Sequence, residues 1–155
     1  MSEGLDRAAR KANADRFVIM NRLIATLMSY DDERFDYRSF TLFTLRSALE
    51  YAADQSEDEG QHPDSRTCHI LAAAELVKIA GHIICHWDFE FERGPLIGDK
   101  GRGGALWDGK HGFCKERWDL WRRRFLQVSL EEGMSNEVKP CARAANEAMA
   151  KLDGQ

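Results

Sequence analysis

His82, Cys85 and His86 stand at i, i+3 and i+4, with Asp88 and Glu90 close behind. Carried on one helix they would share a face, and imidazole with thiolate is a donor set for zinc or another transition metal. The same residues also suit a helix C-terminus, where Cys85 packs beside Ile84 and the histidines answer exposed carbonyls. No HExxH pattern, second ligand pair or carboxylate motif accompanies them. No metal and no cofactor is therefore assigned, and the three remain weak metal candidates only.

Gly94 to Gly104, GPLIGDKGRGG, has the glycine content of a loop whose backbone N–H groups can approach an anion. It lacks the Gly-Lys-Ser/Thr ending of a phosphate loop. A flexible lid or an irregular surface loop fits better, with Lys100 and Arg102 placed to guide an anionic ligand beneath it. Arg117 is a planar, multi-donor side chain with two uses. It can pair with Glu50 or Glu75, or stack on Trp107, or it can hold an anion. Trp107, Trp118 and Trp121 share that ambiguity, since large aromatics fill cores and also line apolar ligand pockets. Arg122, Arg123 and Arg124 occupy consecutive helix positions about 100° apart, so they make no binding stripe for nucleic acid and read as a solvated or salt-bridged face. His69, Cys68, Ser39, Ser47 and Asp119 could supply a nucleophile and its base, but no spacing among them selects a catalytic set.

These side chains need a frame, and Gly104 to Phe125 supplies its anchor. Three of the chain's four tryptophans fall in the stretch, and Trp118, Trp121 and Phe125 lie three and four apart on one helical face. The spacing predicts a helix over about 113–131 that must lie on other helices. Ahead of it, residues 1–12 read as a flexible extension. A first helix follows, capped by Asn13 or Asp15 and running to about Ser29, with Phe17, Met20, Leu23, Ile24 and Leu27 as its stripe. A second helix, capped by Asp36, spans Tyr37 to about Ala53 and is so nearly apolar all round that it belongs near the bundle's centre. Residues 54–65 read as an acidic exposed loop open to disorder and proteolysis. Asp64 or Ser65 caps a third helix to about Trp87, containing Gly81. A long glycine-rich connection from Asp88 to His111 precedes the anchor helix. A fifth helix opens at Ser135 or Asn136 and ends near Leu152, with Pro140 tolerable only in its first turn. No alternating β segment rises above the helical readings, so the fold class expected is all-α, a single domain of about five helices over 13–155.

Composition agrees with a globular domain: 155 residues, 43% hydrophobic and 31% charged. A formal charge of −4 and a pI near 5.7 argue against a protein built to hold nucleic acid. The first sixteen residues contain no apolar h-region, and no unbroken apolar run of about eighteen residues occurs. The expectation is a soluble, cytoplasmic protein with no membrane partner. Four cysteines far apart, with no CxxC pair, read as free thiols.

The order of landmarks resembles a family of uncharacterised helical proteins found mainly in filamentous fungi, grouped as a domain of unknown function. The resemblance rests on RSALE at Arg46 to Glu50, AAAELVKIAG at Ala72 to Gly81, GGALWDGKHGFCKERWDLWRRRF at Gly103 to Phe125, and ARAANEAMAKL at Ala142 to Leu152. The chain departs from it at Cys114, where family members usually carry a capping serine, and at Pro140. What the resemblance implies is a small α-helical domain, with no established catalytic residues to carry over. The leading expectation is an interaction or self-association module with a protein partner or a second copy. The alternative is a small-molecule-binding protein or enzyme whose pocket lies between the third and fourth helices under the glycine-rich connection, using His82, His86, Trp107, Arg117, Trp118 and Trp121.

Overall fold

The computed structural model of the chain describes residues 2–54 and 63–155. Among them are five helices, α1 (Ser2–Met28), α2 (Arg38–Leu49), α3 (Pro63–Ile84), α4 (Lys115–Leu130) and α5 (Val138–Asp153), and four two-residue strands between α3 and α4. The fold is helical in its mass, as expected, but not purely so. Most of the stretch expected to be an acidic loop, 55–62, lies outside the described residues.

The centre belongs to α3, which packs against α1, α2 and α5. Alanines explain this: Ala72, Ala73, Ala74 and Ala80 are fully buried, and such small side chains let three neighbouring backbones come close on different sides. Ile70, Leu76 and Val77 fill the remaining space. Ser65–Ile84 is long and apolar enough by composition to cross a membrane, yet here it is the helix on which the others lie. The helix starts at Pro63, so Asp64 and Ser65 stand inside it and not at its cap. α2, expected at the centre, buries Leu42, Leu45 and Leu49 but leaves Phe43 40% exposed. It ends at Leu49, four residues early, because its last carbonyls find partners elsewhere. Arg124 of α4 donates to the Leu49 and Tyr51 oxygens, and the Leu106 N–H donates to Glu50 O.

α1 runs unbroken from Ser2, so Asn13 and Asp15, read as caps, are interior. Its buried residues are Asn21, Ile24, Ala25 and Met28, while Met20 and Leu23 of the expected stripe are 43% and 59% exposed. Asn21 is fully buried without an apolar match. Its amide donates to Phe17 O at 2.8 Å and its oxygen accepts from the Thr44 hydroxyl at 3.1 Å, which satisfies it.

α4 begins one residue after Cys114, which caps it by position but makes no side-chain cap bond, as the missing serine implied. Trp118, Trp121 and Phe125 are buried as their spacing predicted. α5 places Pro140 in its first turn and buries Val138, Ala142, Ala145 and Met149 against α3 and α4.

All four cysteines are free, with Cys68 buried and the other three half-buried. Burial, with the Asp15 charge adding to it, pushes the Cys68 thiol up to about 11 from an ordinary value of 9.0. A thiol raised on folding favours the protonated form, so its stabilising contribution is complete below about pH 9 and is lost as pH climbs through 11. At pH 8 iodoacetamide should label Cys68 about 100-fold more slowly in the folded chain than in urea, followed by mass spectrometry. Equal rates would contradict this burial.

Candidate functional site

The connection between α3 and α4 is irregular over much of its length but is tied by two short strand pairs. β1 (Phe89–Glu90) pairs antiparallel with β4 (Gly112–Phe113), closing its two ends, and β2 (Arg93–Gly94) pairs with β3 (Gly98–Asp99) to make a hairpin beyond them. Glycine is what permits the closure. A methyl built on Gly101 would overlap the carbonyl of His111, and one on Gly112 would overlap the carbonyl of Phe89. Gly104 lies so near α2 that the same methyl would sit 2.7 Å from Glu50 Cβ.

Arg117 reaches up from the first turn of α4 into this closed loop and is completely buried, as is Glu50 at the end of α2. Their contact is bidentate: Nε donates to Oε1 at 2.7 Å and Nη2 to Oε2 at 3.0 Å. The remaining guanidinium hydrogens go to the connection's main chain. Nη1 donates to Gly101 O at 2.8 Å and Gly112 O at 2.9 Å, with Lys110 O further off at 3.3 Å, and Nη2 donates to Arg102 O at 2.9 Å. All five N–H groups of the side chain are thereby engaged. Glu50 is equally complete, since Oε1 also accepts from Trp121 Nε1 at 2.8 Å and Oε2 from the Gly104 N–H at 2.7 Å. A buried charge pair is tolerable only under such full satisfaction.

Two indoles flank the guanidinium, Trp107 at 5.4 Å and Trp121 at 5.6 Å from ring centre to Cζ. Trp107 is held by its own N–H on Lys110 O at 2.9 Å. From α2, Arg46 adds a second grip on the same segment through Lys100 O and Arg102 O. Phe113 then links the loop to the interior, with its ring 4.9 Å from Trp87 and 5.8 Å from Trp121, both edge to face.

Of the residues proposed from sequence, the fold brings together Trp107, Arg117 and Trp121. Trp118 is turned to α5, where its N–H meets Asp153 at 3.0 Å. His82 and His86 are exposed at the end of α3, and α3 stops at Ile84, so Cys85 and His86 lie in the turn beyond it. Among the described residues no group of three or more His, Cys, Asp or Glu is placed to hold a metal ion. His69 Nδ1 donates to Ser65 O and its ring packs edge-on against Phe17, Cys68 donates to Ala14 O, and Asp119 pairs with Lys115, so these three are held by separate partners. The consecutive arginines divide as well. Arg122 pairs with Asp153, Arg123 is exposed, and Arg124 ties down the end of α2.

Two features went unread in the sequence. His111 Nδ1 lies 2.6 Å from Asp99 Oδ2, an orienting pair of the kind that accompanies general bases, and Arg93 Nη1 lies 3.5 Å from the same nitrogen. Its two members come from β3 and from the residue before β4, a meeting that only the strand pairing creates. The second is a cavity of about 290 Å³ at the turn between α1 and α2, walled by Phe35 and Trp87 and ringed by Asp31, Asp32, Glu33 and Asp36. Arg34 and Arg38 hydrogen-bond Asp32 and Asp36 and hold both below the usual carboxylate range. The cavity shares none of its lining with Arg117.

The geometry thus describes a polar core site that is closed and self-satisfied. No curated protein and no solved structure matches the chain. Residues 2–125 do match a family model, covering the Gly103 to Phe125 motif and the Glu50 to Arg117 pairing but leaving the Ala142 to Leu152 run outside it. The chain belongs to the family described as Protein of unknown function (DUF3632).

Proposed function

We propose that the protein is an interaction module and that its working surface is the outer side of α1. The observation that carries this is the exposure of Leu5, Ile19 and Leu23 at 73%, 59% and 59%, on the side of the helix opposite Ile24, Ala25 and Met28. A helix that already buries one apolar face and presents another to solvent is equipped to meet a partner. The apolar surfaces of α2, α3 and α5 are largely used within the fold, so the reading rests on α1. A photoreactive residue in place of Ile19 should give a discrete adduct of defined mass, and the same residue in place of Leu96, 98% exposed on the hairpin, should give none. Indistinguishable labelling at the two positions would remove the support.

The second reading, a small-molecule-binding protein or enzyme with a pocket beneath the glycine-rich connection, finds its support in the Asp99 and His111 pair, which lies on that connection with each side chain about 30% accessible. Its proposed anion-holding residue, Arg117, has every donor engaged, which is why the interaction module is preferred.

A further inference from the structure

We infer that the partner of α1 is a second copy of this chain, lying antiparallel to it about a two-fold axis near the middle of the helix; this rests on the interaction-module reading above. The outward row is built of Leu5, Ala12 and Ile19, spaced by seven, interleaved with Ala9, Arg16 and Leu23, also spaced by seven. Alternating steps of four and three over most of a 27-residue helix make the seam of a two-stranded coiled coil. Inverting the row on itself keeps its register. Leu23 falls opposite the second copy's Ala12, Ile19 opposite its Arg16, and Tyr30, 73% exposed just past the helix, opposite its Leu5. Within the helix the large side chains then meet a small one or an arginine stem, whose charged head reaches water at the edge, while Tyr30 and Leu5 meet each other at the two rims.

Charge selects this pairing over others. Asp15 and Arg22 lie along the same edge of the row, and the two-fold axis places each beside the opposite residue of the second copy, giving two equivalent ion pairs. Both side chains are reachable, at 59% and 54% exposure, and their contacts within the chain are long, 3.2 Å from Asp15 to Lys11 and 3.3 Å from Arg22 to Glu75. A parallel pair would instead carry the Asp15 and Arg22 edges of the two copies to opposite sides of the seam, where these charges do not meet.

Sedimentation equilibrium over a concentration series tests the idea. The natural chain should dimerise, and Leu23→Glu should raise the dissociation constant by roughly 100-fold or more, since the change is made twice per dimer. Asp15→Arg and Arg22→Asp should each weaken association, and the two together should restore it, which only the antiparallel arrangement predicts. Circular dichroism would verify folding of each variant, all of them altered at exposed positions. A monomer up to roughly 1 mM, a dimer indifferent to Leu23→Glu, or a double variant no better than the single ones would each overturn this interface. A monomer that still gives the Ile19 adduct, at a mass other than twice the chain's, would overturn the second copy and leave the interaction module standing.

Discussion

Replacing Arg117 by methionine is expected to cost about 3–5 kcal/mol of unfolding free energy, because Glu50 would stay buried with its counter-charge gone. That is a large part of the total stability of an ordinary domain. Arg117→Lys should be better by only part of this. An ammonium keeps the charge but cannot reach both carboxylate oxygens and the carbonyls of Gly101, Arg102 and Gly112 at once. The more discriminating variant is the double change, Glu50→Leu with Arg117→Met. Buried ion pairs can often be exchanged for apolar residues at little cost. Here the exchange would strand the Gly101 and Gly112 carbonyls, the Trp121 N–H and the Gly104 N–H, and leave Arg102 O to Arg46 alone, so the double variant should remain well below the natural chain in urea unfolding. Recovery of full stability would mean that the guanidinium neutralises Glu50 and does little for the loop.

The second large effect is expected at Gly101. An alanine methyl there has to displace the His111 main chain, which belongs to the same closed loop, and neither segment can yield without opening the strand closure and the bonds to Arg117. Gly101→Ala should lower stability by about 3 kcal/mol or more. It should also make residues 93–110 the first region cut by a protease at low dose. Gly4→Ala, whose added methyl meets nothing within 4 Å, is the matched control and should be near neutral. Equal stability and equal cutting patterns for the two variants would refute the account of the connection as a rigid cap.

Trp118, Trp121 and Phe125 were readable because a helical period concentrates them, and helices report such periods directly. Glu50 was readable as one of two acidic partners for Arg117, and the fold chose it because α2 ends where α4 begins its first turn. The outward row on α1 was not readable in the same way. Leu23 and Ile24 are neighbours in sequence, and apolarity alone cannot say which of two apolar faces meets the bundle. The strand pairs within the connection were missed for a different reason. Glycine is equally common where a chain must move and where it must pass very near another chain, and Gly101 and Gly112 are of the second kind. Strands of two residues, such as Arg93–Gly94, are too short for alternation to register. The Asp99 and His111 pair depends on those strands and was hidden with them.

Arg117 takes hold of oxygens that every amino acid possesses. The identity of the side chains at 95–97 therefore has little bearing on whether the loop closes, provided the glycines at the crossings are kept. Leu96, at the outermost bend and almost wholly in water, is accordingly a natural place to graft a foreign peptide or an affinity tag while the grip beneath stays intact.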